Sequence, residues 1–351
     1  MIRRLPPTVM IASLFVAGCA VGPDYQRPEI NLPESHRGAS PENTKAPSLA
    51  DSNWREVFTD PPLQSLIEEA LSAGPDALLA AARLREAEAL AGVSRAPLWP
   101  QASISLNTSP TIRQPGERFT ASYLGGAGIS WEIDLWGRYR SASEAAKAEL
   151  LASEEALHGM QASLVATVAR YYFQLSTLHD TLIITERSAR NQGEVLRLIK
   201  RLSAAGISSA AEERQQESAL AATEASLPTL RRQIAETENA LSLLLGRNPG
   251  AFRLDVPPKL ALPGLIPPGL PSRLLEQRPD IRQAEARLMA ANARVGEAKA
   301  MFFPSLSLTA IFGGVSTSLA DVVHGRAPAV ASIGPNLVQP LFAARQMYSN
   351  R

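Results

Sequence analysis

Apolar residues follow two different periods along this chain. Across 137–245 they recur every seven residues, whereas short segments on either side alternate apolar with polar. Leu150, Leu157, Leu164, Tyr171 and Leu178 form one heptad series, with Val168, Leu175, Leu182, Ala189 and Leu196 at the partner positions. The pattern predicts a helix over 137–202, and about 65 residues at 1.5 Å each would reach roughly 100 Å. Residues 204–209, Ala-Ala-Gly-Ile-Ser-Ser, read as its turn. A return helix is predicted over 211–245 from Leu220, Leu227, Ile234 and Leu241 with Thr223, Leu230, Thr237 and Leu244. Pro228 should kink it, and Gly246 with Pro249-Gly250 should end it. The expected product is an antiparallel coiled-coil hairpin.

The alternating segments predict strands. Ala102, Ile104 and Leu106 alternate with Ser103, Ser105 and Asn107, and Ile129, Trp131, Ile133 and Leu135 alternate with Ser130, Glu132 and Asp134. Leu306 and Leu308 alternate with Ser305, Ser307 and Thr309, and a fourth strand is predicted over 333–342. Upstream, Asp60-Pro61-Pro62 reads as an acidic cap before first-turn prolines. Leu63, Leu66, Ile67, Ala70 and Leu71 share one face of the helix that follows, Gly74-Pro75 breaks it, and another helix is predicted over 76–96. This helix-then-strand unit is written twice. Residues 75–100 and 279–304 match at 11 of 26 positions without a gap, including Pro75/Pro279, Asp76/Asp280, Arg83/Arg287, Leu84/Leu288, Gly92/Gly296 and Pro100/Pro304. The expected organisation is a first repeat over 53–252 (helices, β-hairpin, coiled-coil hairpin), a proline-rich linker over 253–269, and a second repeat over 270–351 that stops after its β-hairpin.

Of the 351 residues 45% are hydrophobic but only 5% aromatic, which favours closely packed, alanine-rich helices. The net charge of +1, without a basic run, leaves no footprint for nucleic acid. His36, His158, His179 and His324 lack metal-ligand spacing, so neither metal nor other cofactor is expected. No Gly-x-Ser-x-Gly, His-Glu-x-x-His or phosphate-loop pattern occurs, and Glu132 with Asp134 reads as the polar face of a strand and not as a catalytic pair. No enzyme is expected. Residues 1–18 have the layout of an export signal, with Arg3 and Arg4, an apolar run and small residues at the end. Val16-Ala17-Gly18-Cys19 resembles the bacterial lipobox, which implies acylation of Cys19; Ala20 in the next position implies sorting to the outer membrane. Residues 19–52, with Pro23, Pro28, Pro33, Pro41 and Pro47, are expected to run extended. The apolar face of the strands fits another sheet or lipid, and the lipobox favours lipid, with Trp131 or Trp136 at the interface.

Several runs carry a more specific resemblance. They are the lipobox with Gly22-Pro23-Asp24-Tyr25-Gln26-Arg27-Pro28, the run from Trp131 through Trp136-Gly137-Arg138, Leu241 to Gly246 with Pro249-Gly250, and Gln277-Arg278-Pro279-Asp280-Ile281 with Phe302-Phe303-Pro304-Ser305. Together they resemble the outer-membrane factor family of tripartite efflux systems, in its lipoprotein branch. The resemblance implies a mainly α fold with membrane β: long antiparallel coiled-coil helices, and four strands per chain in the shared twelve-stranded barrel of a homotrimer. It implies passive export of small molecules through that barrel and a periplasmic tunnel. The implied partners are outer-membrane lipid, an inner-membrane pump and a periplasmic adaptor that meets the hairpin tip, where Gly206, Ile207 and Ser208 stand. A plain helix–helix turn is the other reading of those three. Glu212 and Glu213 are compatible with simple solvation, and no gate is assigned. Family members continue past the fourth strand into a second coiled-coil hairpin, whereas here Ala343-Ala344-Arg345 follows and the sequence stops at Arg351. A shortened member is therefore expected, with a non-conducting, lipid-anchored coiled-coil scaffold as the alternative.

Overall fold

A computed structural model describes residues 21–33, 53–111, 120–252 and 274–341. Cys19 with its export signal, the linker over 253–269 and the residues after Leu341 lie outside them. In chain order the elements are α1 (Trp54–Val57), α2 (Pro61–Ala73), α3 (Pro75–Arg95), a 3-10 turn (Ala96–Leu98), β1 (Gln101–Thr111), β2 (Thr120–Ile133), α4 (Arg138–Ala204), α5 (Ala210–Leu244), α6 (Leu274–Gln277), α7 (Pro279–Ala300), β3 (Ser305–Ser316), α8 (Leu319–Val323) and β4 (Ala329–Val338). The starts of α3 and α7 (75 and 279) and of β1 and β3 (101 and 305) stand at the same offset of 204 residues. The chain forms two compact units, one of Met1–Ile30, Leu84–Glu154 and Gln283–Arg351, the other of Asn31–Arg83 and Glu155–Arg282.

The second unit is built on the helical hairpin. Its core gathers Leu63, Ile67 and Ala70 of α2, Ala77 of α3, Leu164, Val165, Val168, Ala169 and Tyr172 of α4, and Leu241 and Leu245 at the end of α5. All the heptad positions predicted for α4 and α5 are buried or half-buried, which follows from a 3.5-residue apolar repeat keeping one seam against the partner helix. Polar bonds hold the register of the hairpin: Gln216 Nε2 donates to Gln192 O at 3.3 Å, Thr223 Oγ1 to Gln192 Oε1 at 3.0 Å, and Arg231 and Lys200 pair with Glu186 (2.9 Å) and Glu217 (2.8 Å). Helix α5 continues through Pro228 without a break. At its end Gly246 takes φ 69° while Gly246 N and Arg247 N bond back to Leu243 O and Ser242 O, the paired bonds of a Schellman cap. Arg247 then pairs with Glu69 through two of its three guanidinium nitrogens, Nε and Nη2.

Asp60 departs from expectation. It occupies the position before Pro61 but makes no side-chain cap bond; its carboxylate instead accepts the Tyr172 hydroxyl at 2.6 Å. With prolines at the start of α2 supplying no N–H, the helix asks less of a capping oxygen, and the buried phenol needs an acceptor more. Burial and then Asp60 raise the Tyr172 phenol well above its ordinary pKa.

The first unit is built on one antiparallel sheet in the order β1-β2-β3-β4. Two strands differ from the sequence expectation. β2 begins at Thr120, nine residues before the alternating run, and ends at Ile133, so Leu135 and Asp134 fall outside it. β4 spans Ala329–Val338 and not 333–342, because its pairing with β3 starts at Gly314↔Ala329. α8, in the β3–β4 connection, has no counterpart in the expectation.

Candidate functional site

The register of the sheet sorts its side chains into two kinds of row. Residues directly opposite across antiparallel strands share a face. One face carries the rows Ala102–Ile129–Ala310–Ile333, Ile104–Ala127–Phe312–Ala331, Trp131–Leu308–Pro335 and Ile133–Leu306–Leu337. The other carries Gln101–Ser130–Thr309–Gly334, Glu132–Ser307–Asn336 and Ser103–Gly128–Ile311–Ser332. Much of the apolar face is bare, with Ile104 91% exposed, Ile333 76% and Phe312 68%, while Trp131, Ile133 and Leu306 are half-buried and Val322 of α8 lies against it at Gly125. The outer edges of β1 and β4 have no strand beside them among the described residues. Such a surface costs free energy in water at about 25 cal/mol per Å², and a bare edge invites pairing with another strand. No helix among the described residues is long and apolar enough to cross a membrane.

Toward the Tyr123–Ser316 end of the seam between β2 and β3 the sheet is pinched by glycine. Gly125 and Gly126 of β2 lie opposite Gly314 and Gly313 of β3. A methyl group on Gly313 would stand 2.2 Å from Gly125 O, and one on Gly126 would stand 2.4 Å from Phe312 O. These are backbone neighbours that no rotamer can move, so any Cβ there forces the strands apart.

Where β2 passes into α4, the acidic residues have structural partners. Glu132 accepts from Arg138 (3.0 Å) and from the Tyr139 hydroxyl (2.9 Å). Asp134 accepts from Tyr139 N at 3.2 Å and Arg140 N at 2.9 Å, which satisfies two of the unpaired N–H groups at the start of α4. Gly137, at φ 77°, makes the turn that brings these amides round. Trp136 donates through Nε1 to Pro304 O at 2.8 Å and stacks on Phe303 with ring centroids 4.7 Å apart; Trp131 donates to Leu98 O at 3.1 Å. Both tryptophans thus tie strand ends to helix ends. Asp134→Ala is expected to cost about 1 kcal/mol of stability, the usual value of a lost helix cap, read as a lower urea midpoint in detergent; an unchanged midpoint would mean the cap is idle.

At the hairpin tip Gly206 (φ 72°) closes α4 with the same paired bonds, Gly206 N to Ser203 O at 3.0 Å and Ile207 N to Leu202 O at 2.9 Å. Ser209 Oγ accepts from Glu212 N at 3.2 Å while the Glu212 carboxylate accepts from Ser209 N at 3.0 Å, a reciprocal capping box, and the Ser208 hydroxyl also bonds to Glu212. The Ser208 hydroxyl and the Ser209 amide hold the Glu212 carboxyl below its usual pKa. Gly206, Ser208 and Glu212 therefore have local work in the turn. Ile207 contributes its amide to that closure, but its side chain stands free: the residue is 74% exposed.

Comparison with known proteins meets this geometry. The outer membrane efflux protein family matches residues 66–247 and 270–351. The solvent efflux pump outer membrane protein SrpC of Pseudomonas putida is 35% identical over 97% of this chain and 75% of its own length. The cation efflux system protein CusC of Escherichia coli K12 is 31% identical over 99% of this chain and 76% of its own. Among solved structures the outer-membrane channel OprN superposes with a TM-score of 0.77 at 32% identity, covering 92% of this chain and 73% of that one. By the extent of the family match and the length shared with these relatives, the chain belongs to the outer membrane efflux protein family.

Proposed function

We propose that this chain is the outer-membrane channel subunit of a tripartite efflux system. The observation that carries the reading is the four-stranded sheet with one largely bare apolar face, one polar face and two edges unpaired among the described residues. Edges cannot face hydrocarbon, where each unpaired backbone group costs several kcal/mol; closure by the sheets of further copies satisfies them. Three copies give a twelve-stranded barrel with the apolar rows toward lipid and the serine-rich rows toward the lumen, a conduit for passive export that leaves its cargo chemically unchanged. The two repeats are read as one helix-and-hairpin unit used twice around that barrel. The long hairpin extends into the periplasm, and its tip at Gly206, Ile207 and Ser208 meets the adaptor, with Ile207 as the apolar contact. An inner-membrane pump supplies the energy. Cys19 is acylated in this reading.

The test is purification of the protein from outer membranes in mild detergent, followed by planar-bilayer recording and dodecyl-sulfate electrophoresis without heating. Trimers that resist detergent, together with stepwise conductance, are expected. A monomer that takes up labelled palmitate yet conducts nothing would sink the channel and leave a lipid-anchored scaffold. Cys19→Ala is expected to abolish palmitate incorporation.

A further inference from the structure

Residues 21–27 run along a single stripe of α7 within the sheet unit. Glu285, Met289, Asn292 and Gly296 recur at the spacing of one helical face. Gly22 meets the stripe at its far end: a methyl group on Gly22 would stand 2.9 Å from Gly296 Cα, and one on Gly296 would stand 3.1 Å from Gly22 Cα and 2.9 Å from Ser141 Oγ. Asn292 Nδ2 donates to Pro23 O at 2.8 Å. The Tyr25 hydroxyl donates to Glu285 Oε1 at 3.4 Å and Arg27 donates to Oε2 at 2.8 Å. The two lengths agree. From 285 to 296 a helix rises about 16 Å, and extended chain from 22 to 27 spans about 16 Å.

We propose that this segment is a clasp that docks in register on α7, with Gly296 as its notch and Glu285 as its far fastening. It assigns a role to the Gly22-Pro23-Asp24-Tyr25-Gln26-Arg27 run. The comparison inside the chain is direct: Gly92 holds the matching place on α3 and has nothing within 4 Å of where its Cβ would be. Helix geometry alone therefore does not demand glycine there; the close approach of Gly22 on one side and of Ser141 on another does. The Arg27 side chain is 53% exposed and Glu285 22%, so the ion pair adds little by itself and serves to set the direction of the segment. That the clasped end bears an acyl anchor rests on the reading of Cys19 above. The clasp does not.

A nitroxide attached at Gln26→Cys in the full chain, in detergent and in native outer membranes, reads the clasp directly. The wild-type background is expected to give an immobilised spectrum, Gly296→Val a mainly mobile one, and Gly92→Val the wild-type spectrum. Because Gly296→Val could damage folding, a charge exchange provides the second arm. Arg27→Glu and Glu285→Arg should each raise the mobile fraction severalfold, and the two together should return it towards wild type. Equal mobility in Gly296→Val and Gly92→Val, or a double exchange as mobile as the singles, would overturn the clasp. Palmitate labelling of the same samples, with the nitroxide also read in a Cys19→Ser background so that only position 26 carries it, separates the two readings: an unlabelled protein whose nitroxide stays immobilised in that background refutes the anchor and leaves the clasp standing.

Discussion

Gly313→Val is expected to leave almost no protein in a heat-modifiable, sheet-containing form in the outer-membrane fraction, while Gly334→Val leaves most of it there. Both residues lie in strands and on the same face of the sheet, since Gly313 shares a row with Val330 and Gly334 shares one with Thr309. Face polarity is thus held constant between them. What differs is the neighbour. A Cβ at Gly313 meets Gly125 O at 2.2 Å and Gly126 Cα at 2.8 Å, whereas Gly334 has nothing within 4 Å. Overpacking against side chains costs about 1–3 kcal/mol, and here the obstacle is backbone, so the cost should lie at or above the top of that range. Relief would require parting β2 from β3 near the Tyr123–Ser316 end of their seam, with loss of ladder bonds around the pinch. If Gly313→Val inserts as well as Gly334→Val does, the glycine crossing is not what sets the seam.

The second large effect is expected at Tyr172. This ring is 1% exposed, lies edge-on to Phe173 with centroids 5.5 Å apart, and reaches Asp60 with its hydroxyl. Removing it with Tyr172→Ala should cost about 3–5 kcal/mol, as for other large aromatic truncations in cores. Tyr172→Phe should cost about 1–2 kcal/mol, since only the bond to a carboxylate is lost. The phenol also carries a pH signature. Its folded pKa is raised, chiefly by burial and then by Asp60, so the folded protein holds the proton more tightly than the unfolded chain. The stabilisation is complete below the ordinary phenol value of about 10 and is lost as pH rises beyond it. Urea unfolding followed by circular dichroism at rising alkaline pH should show a falling midpoint in wild type and a shallower fall in Tyr172→Phe. Parallel slopes would mean that the phenol is not the group responsible.

The helical hairpin was legible in the sequence because its apolar residues keep a seven-residue repeat through both helices, and because Gly206 and Gly246 stand where a left-handed residue must end each helix. The sheet was legible only in part. β1 and β3 announce themselves through Ile104, Leu106, Leu306 and Leu308, but the first half of β2, Thr-Ala-Ser-Tyr-Leu-Gly-Gly-Ala-Gly, alternates nothing. Its strand conformation is imposed by pairing with Gln101–Thr111 on one side and β3 on the other, which no local pattern encodes. For the same reason the register of β4 could not be read from its own residues. Side-chain partnerships were the least legible. Asp60 looks like a cap and serves a tyrosine more than a hundred residues away, while Asp134 looks like a strand residue and serves as a cap. In the tip, sequence located the turn, and only the fold separates Ser208, whose side chain is bonded within it, from Ile207, whose side chain is exposed.

The pairing of β2 with β3 bears on the order in which the chain can fold. Ile133 lies opposite Leu306 and Tyr123 opposite Ser316, so this seam joins segments separated by about 170 residues, against about 12 for the connection of β3 to β4. Treated as flexible loops, the longer closure carries roughly 2 kcal/mol more entropic cost. Folding α4 and α5 first removes most of that floppy length, so the helices should form before the seam does. Through that interval Ile104 and Leu106 stand bare on a two-stranded ribbon too small to be stable alone. During transit to the membrane the half-made sheet is then the chain's most aggregation-prone state, and the one a holding chaperone would have the most reason to cover.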